Sequence, residues 1–197
     1  MLFVWLFKLT AVIPLALFFR PRIRGKKNVP KTPCILAVNH GAAMDPVLIN
    51  VAFPFKRIYM LTTKKLFNCN RLHQWELKQM GCRPRLSPSG DMETLNEIVR
   101  NIKSYELISF FPEGMIKSSV GSFKSGAVML ALTSGLPIVP VYIRTAPFFR
   151  GGTAITFGKP MKIGINGLAD AKEIEIINQK LRKKIIMLSD KKTGGCV

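Results

Sequence analysis

Residues 33–46 read PCILAVNHGAAMDP, and the fold follows from how that stretch is punctuated. Pro33 and Asn39 bound a run that is apolar at every position from 34 to 38. A run that short and unbroken reads as a strand buried on both faces. Gly41, Ala42 and Ala43 then permit a sharp turn, and Pro46 suits the first turn of a helix over 46–53. Working outward, strand-like runs recur at 56–61, 106–111 (ELISFF), 137–143 (PIVPVYI) and 153–157. Helical patterns fall between them, at 71–80, 90–103 and 123–134, the last stopped by Gly135 and Pro137. A final helix over 171–188 carries Ile174, Ile177, Leu181, Ile185 and Leu188 on one face. The run Lys180, Arg182, Lys183 and Lys184 reads as its solvated face. Strands alternating with helices give an α/β fold, with a mostly parallel central sheet flanked by helices. With 197 residues, no internal repeat and no linker, one such domain accounts for most of the chain.

The N-terminal stretch is different. Residues 1–19 read MLFVWLFKLTAVIPLALFF, with only Lys8 and Thr10 polar. As a helix it would be about 28 Å long, close to the thickness of a bilayer's hydrocarbon core. Lys8 and the kink at Pro14 argue for partial insertion from one side rather than a clean span. Arg20, Arg22, Arg24, Lys26, Lys27 and Lys31 follow, before any acidic residue. An apolar membrane-associating helix trailed by cations fits the cytoplasmic face of a membrane, where anionic headgroups attract Lys and Arg. Residues 1–20 are therefore expected to be a membrane-associating segment and residues 21–197 a catalytic domain.

Lys and Arg outnumber Asp and Glu by 30 to 11, a net charge of +19. That field selects anionic partners: lipid headgroups, an acidic carrier or nucleic acid. Nucleic acid is disfavoured, because the cations cluster beside the apolar segment and no interleaved aromatic and basic motif appears. Cys34, Cys69, Cys82 and Cys196 have neither disulfide-framework nor metal-ligand spacing, so free thiols and no metal are expected.

Among polar residues, His40 and Asp45 stand out. On one regular helix, residues five apart would point about 140° away from each other. Only a turn brings them together, and Gly41 provides it. A carboxylate bonded to one imidazole nitrogen fixes the tautomer, leaving the other nitrogen to take a proton from an alcohol. A His-x4-Asp match arises by chance about 4 per cent of the time in this composition, so the pair alone decides little. A second group adds weight: Phe111-Pro112-Glu113-Gly114 follows a buried run, then Phe123-Lys124-Ser125-Gly126, then Gly135-Leu136-Pro137-Ile138-Val139-Pro140.

Asn39-His40 through Asp45, the FPEG of 111–114 and the later Val139-Pro140, in this order, resemble the 1-acylglycerol-3-phosphate acyltransferase family. The stretch Phe19 to Gly25, Asn28-Val29-Pro30 and Phe157-Gly158-Lys159-Pro160 extend the likeness over almost the whole chain. The resemblance implies transfer of a fatty acyl group from an acyl thioester to the hydroxyl of lysophosphatidic acid, giving phosphatidic acid at a membrane. It implies His40 as general base, oriented by Asp45. Glu113, Gly114, Lys117, Lys64, Lys65, Arg83 and Arg85 would bind substrate, the basic ones holding the acceptor phosphate. No cofactor is implied; the donor is acyl-CoA or an acyl carrier protein. The chain departs from the family where FPEG is usually followed by Thr-Arg-Ser, since Met115-Ile116-Lys117 stands there. That departure leaves room for a different lysophospholipid, or glycerol 3-phosphate, as acceptor. The competing reading of another class is a basic nucleic-acid- or membrane-binding protein without catalysis.

Overall fold

A computed structural model describes residues 13–86, 88–103, 106–116, 120–146, 152–163 and 170–190. Each apolar run of the sequence is a strand: β2 (Ile35–Val38), β3 (Ile58–Thr62), β5 (Leu107–Phe110), β6 (Ile138–Arg144) and β7 (Ala154–Phe157). Two three-residue strands complete the sheet, β1 (Arg22–Arg24) and β4 (Cys82–Pro84). The order across the sheet is β1-β7-β6-β2-β5-β3-β4. Among the described strand pairs only β6–β7 is antiparallel. The sheet is therefore mostly parallel, as the alternating pattern implied.

Helices cover both faces. On one side lie α1 (Ile13–Phe19), α2 (Asp45–Ala52), α3 (Lys64–Phe67) and α4 (Arg71–Gln79). Here Leu48, Ile49, Phe67 and Leu77 pack on Leu36, Val38, Met60, Val141 and Phe157, and α1 lies against α2. On the other side are α5 (Pro88–Asn101), α6 (Gly126–Ser134) and α7 (Ala171–Asp190), where Leu95, Ile98, Leu130, Leu181 and Ile185 meet Ile35, Ala37, Ile108 and Ile138. β2 alternates between these two cores with every side chain buried, which is why its sequence shows no polar face.

One expectation changes, and another falls mostly outside the described residues. Arg182 is not part of a solvated face: its guanidinium donates to the carbonyls of Gly121 and Val120 at 2.7 and 3.0 Å, tying α7 to the loop before α6. Of the membrane-associating segment, residues 1–12 lie outside the described residues, and Ile13–Phe19 is a seven-residue helix. Among the described residues, no helix is long and apolar enough to cross a membrane.

Burial also separates the thiols. Cys34 and Cys82 are fully enclosed, and the loss of hydration pushes both up to about 12, with Lys56 and Arg83 opposing weakly. Cys69 is exposed. Because the thiolate is the reactive form, native protein at pH 8 should be alkylated at Cys69, while Cys34 and Cys82 react only after unfolding. Peptide mapping of iodoacetamide adducts checks this; rapid native labelling of Cys34 would contradict the burial.

Candidate active site

β2 lies between β5 and β6; from its carboxyl end the chain runs to β3 on one side, whereas from the adjacent β6 it runs to β7 on the other. In open α/β sheets such a switch point opens a crevice beyond the carboxyl ends of the strands. His40 stands there, two residues past the end of β2, with its side chain 17% exposed.

What ends the strand is Asn39. After the ladder bond from its own N–H to the Val141 carbonyl, its side chain takes over the pairing. Nδ2 donates to the Ile143 carbonyl at 3.0 Å, and Oδ1 accepts the Ile143 N–H at 2.6 Å. One buried carboxamide thus imitates a peptide unit, so the backbone can leave the sheet without stranding polar groups on β6.

The turn at 41–44 folds back around Asp45, which opens α2 with Pro46 behind it. The Asp45 carboxylate is 1% exposed, and its partners account for that burial. Oδ2 accepts from the N–H groups of Gly41 and Ala42, both at 2.8 Å, and faces His40 Nδ1 at 3.2 Å. Oδ1 accepts the Thr145 hydroxyl at 2.6 Å. With Nδ1–H donating to the carboxylate, Nε2 is the ring's acceptor.

The FPEG turn supports the same histidine from the β5 side. The Phe111 ring packs on the imidazole with centroids 4.6 Å apart. Glu113 is 3% exposed, and its Oε1 accepts the His40 backbone N–H at 3.4 Å. Gly114 has φ 72°, a conformation natural to glycine, and a side chain there would meet Lys124 Cε and Nζ at 3.3 Å. The two motifs, 73 residues apart between His40 and Glu113, form one structure.

A sequence model of the family described as Acyltransferase matches residues 20–144, from the lead-in to β1 through the end of β6. The chain belongs to the acyltransferase family. The chloroplastic 1-acyl-sn-glycerol-3-phosphate acyltransferase of Brassica napus is 27% identical over 179 residues, covering 88% of this chain and 48% of that protein. That of Arabidopsis thaliana is 28% identical over 180 residues, covering 88% and 46%. The chain thus spans about half the length of these curated relatives. Its fold matches the crystal structure of the 1-acyl-sn-glycerophosphate (LPA) acyltransferase PlsC from Thermotoga maritima, with a TM-score of 0.64, over 96% of this chain and 79% of that one, at 20% identity. The resemblance carried by the motifs is borne out at the level of family and fold.

The remaining candidate residues divide. Lys64 and Lys65 open α3 directly after β3, exposed at the same carboxyl edge as His40. Arg85 sits at that edge too, but its Nε pairs with Asp91 Oδ2 at 2.9 Å. Arg83 turns away under α5. It lies 6.0 Å from the Tyr59 ring and lines a cleft of about 290 Å³ with Thr94, Glu97 and Asn101. The structure does not bring Arg83 to His40. Lys117 lies outside the described residues.

Sequence reasoning assigned no role to three contributors. Thr145 follows β6, and only the strand order places it beside Asp45. Asn39 was legible as a strand end but not as a backbone surrogate. Lys124, twelve residues past Pro112, donates its backbone N–H to the Pro112 carbonyl at 2.8 Å and lays its side chain against Gly114. The one available signal was its place in the Phe123-Lys124-Ser125-Gly126 stretch.

Proposed function

We propose that the chain transfers a fatty acyl group from an acyl thioester to the free hydroxyl of 1-acylglycerol 3-phosphate, forming phosphatidic acid. The carrying observation is the His40–Asp45 pair, its carboxylate held by three other donors and its imidazole open at the switch-point crevice. A neutral alcohol is a poor nucleophile. Nε2 takes its proton as the oxygen attacks the thioester carbonyl carbon. The carbon–sulfur bond then breaks, and the departing thiolate takes the proton back from the imidazolium. Asp45 holds the ring and stabilises its charged form between the two steps. No acyl-enzyme, metal or cofactor enters this scheme. The donor is acyl-CoA or an acyl carrier protein, and the enzyme works at the cytoplasmic face of a membrane, with membrane lipids as its surroundings.

The acceptor phosphate needs fixed cations. Lys124, beside the FPEG glycine, takes that part together with Lys64 and Lys65, where Met115 and Ile116 have replaced the family's usual Thr and Arg. The same replacement favours a second reading, in which the chemistry is kept and the acceptor is another lysophospholipid or glycerol 3-phosphate.

The test is an assay of the full chain with lysophosphatidic acid and a long-chain acyl thioester in mixed micelles, beside a panel of other acceptors. Phosphatidic acid is the expected product. Lys124→Ala should raise KM for the acceptor by about tenfold with kcat nearly unchanged, the loss of one charge-assisted contact. Product from another acceptor alone would move the assignment to the second reading, and an unchanged KM would remove Lys124 from the phosphate site.

A further inference from the structure

We propose that the outer face of α3 and α4 docks on an anionic lipid bilayer, as a membrane contact belonging to the folded domain itself. Phe67 and Leu77 point into the core and are buried. The opposite surface carries Leu66, Leu72 and Trp75, which are 49%, 67% and 41% exposed. On α4, Leu72 and Trp75 are three apart and share one side, roughly 140–160° around the helix from Leu77. Solvent alone gives no reason for Leu and Trp to crowd there, and exposed apolar patches of this kind mark contact surfaces.

Charge identifies the occupant. Exposed Lys64, Lys65, Arg71 and Lys78 surround these side chains. No Asp or Glu occurs between Asp45 and Glu76, and Glu76, half-buried, is the one acidic residue of α3 and α4 against these four cations. The opposite helical layer mixes both signs: α5 holds Asp91, Glu93 and Glu97, and α7 holds Glu173 and Glu175 beside Lys180, Arg182, Lys183 and Lys184. Apolar side chains ringed by Lys and Arg match the boundary between acyl chains and anionic headgroups, where Leu and Trp enter and cations stay outside. A purely acidic protein partner would leave Leu66, Leu72 and Trp75 without a counterpart. The same helical layer also exposes Phe55 after α2 and Leu17 and Phe18 of α1.

The position suits the proposed function, which this inference extends. α3 begins at the carboxyl end of β3, on the edge where His40 stands. Docking there turns the crevice toward the lipid that would carry the acceptor.

The experiment reads docking without turnover. Trp5→Phe leaves Trp75 as the sole tryptophan of the full chain. Its fluorescence is followed with phosphatidylcholine vesicles, with and without phosphatidylglycerol, and with brominated acyl chains. A blue shift and bromine quenching that require phosphatidylglycerol are expected. Leu66→Gln with Leu72→Gln should weaken partitioning on the order of tenfold or more, with unchanged circular dichroism. Vesicle binding without any change at Trp75 would overturn the proposal, because another surface would then be making the contact. A shift that appears without lipid and grows with protein concentration would also overturn it, in favour of a second copy of the chain. Acyl transfer is scored separately on the same samples. Quenching without transfer removes the enzymatic reading alone, and transfer without quenching removes this one alone.

Discussion

His40→Ala is expected to lower kcat by about 10²–10⁴-fold, the range a positioned general base contributes, while thermal unfolding stays at the wild-type temperature. The stability half of that expectation comes from the Asp45 partners. Removing the imidazole leaves Oδ2 accepting from Gly41 and Ala42 and Oδ1 from Thr145, so the buried carboxylate keeps three donors. Asp45→Asn separates geometry from charge. The amide oxygen can take the Oδ2 place, fixed by two backbone N–H groups, and its NH₂ then faces a Thr145 hydroxyl free to turn and accept. The ring keeps its tautomer and loses only the ionic partner of the imidazolium. A loss of about 10- to 100-fold in kcat relative to wild type is expected for that variant, from a hydrogen bond to a charged group becoming one between neutral groups. The measurement is kcat for phosphatidic acid formation alongside circular dichroism melts. Full turnover by His40→Ala would end the general-base mechanism. A large fall in melting temperature with Asp45→Asn would show the carboxylate to be chiefly structural.

The second large effect belongs to a residue that touches no substrate. Asn39→Ala should destabilise the domain by roughly 2–6 kcal/mol, because the Ile143 N–H and C=O each lose a buried partner at about 1–3 kcal/mol. For a chain of this size that corresponds to a melting temperature lower by on the order of 5–20 °C. The same two bonds pin the exit of β2 to β6, one residue before His40. Activity measured well below the melting temperature should therefore fall as well. Amide hydrogen exchange gives a local readout: the Ile143 N–H, held at 2.6 Å by Asn39 Oδ1, should exchange much faster in the variant relative to its β6 neighbours. Unchanged protection at Ile143 would show that the carboxamide is not what closes the ladder.

Several elements were legible because local pattern and tertiary role coincide. The runs at 34–38 and 106–111 are apolar at nearly every position because their strands are packed on both faces, so their burial is written residue by residue. The long helix over 171–190 shows its buried stripe through Ile174, Ile177, Leu181 and Ile185 for the same reason. β1 and β4 were not legible from pattern. Each has three residues at a sheet edge, too few to show an alternation, and in β1 none of Arg22, Ile23 and Arg24 is buried. Arg83 illustrates a further limit. Residues two apart share a face only while the strand lasts, and Arg85 lies just past the end of β4, where it pairs with Asp91, so its proximity in sequence does not carry Arg83 to the same site.

By itself, the sequence determined the α/β class, the positions of the central strands and both helical layers, the candidate base with its acid, and the family. These depend on local periodicity, turn chemistry and short spacings, which are properties of neighbouring residues. Tertiary structure alone decided that β2 lies between β5 and β6, and everything at the site that follows from that order. It brought Phe111 and Glu113 against His40, Thr145 onto Asp45 and Lys124 against Gly114, while it turned Arg83 beneath α5. Such contacts join residues far apart in the chain. They depend on which strands pair and which way each side chain faces, and no local pattern encodes either.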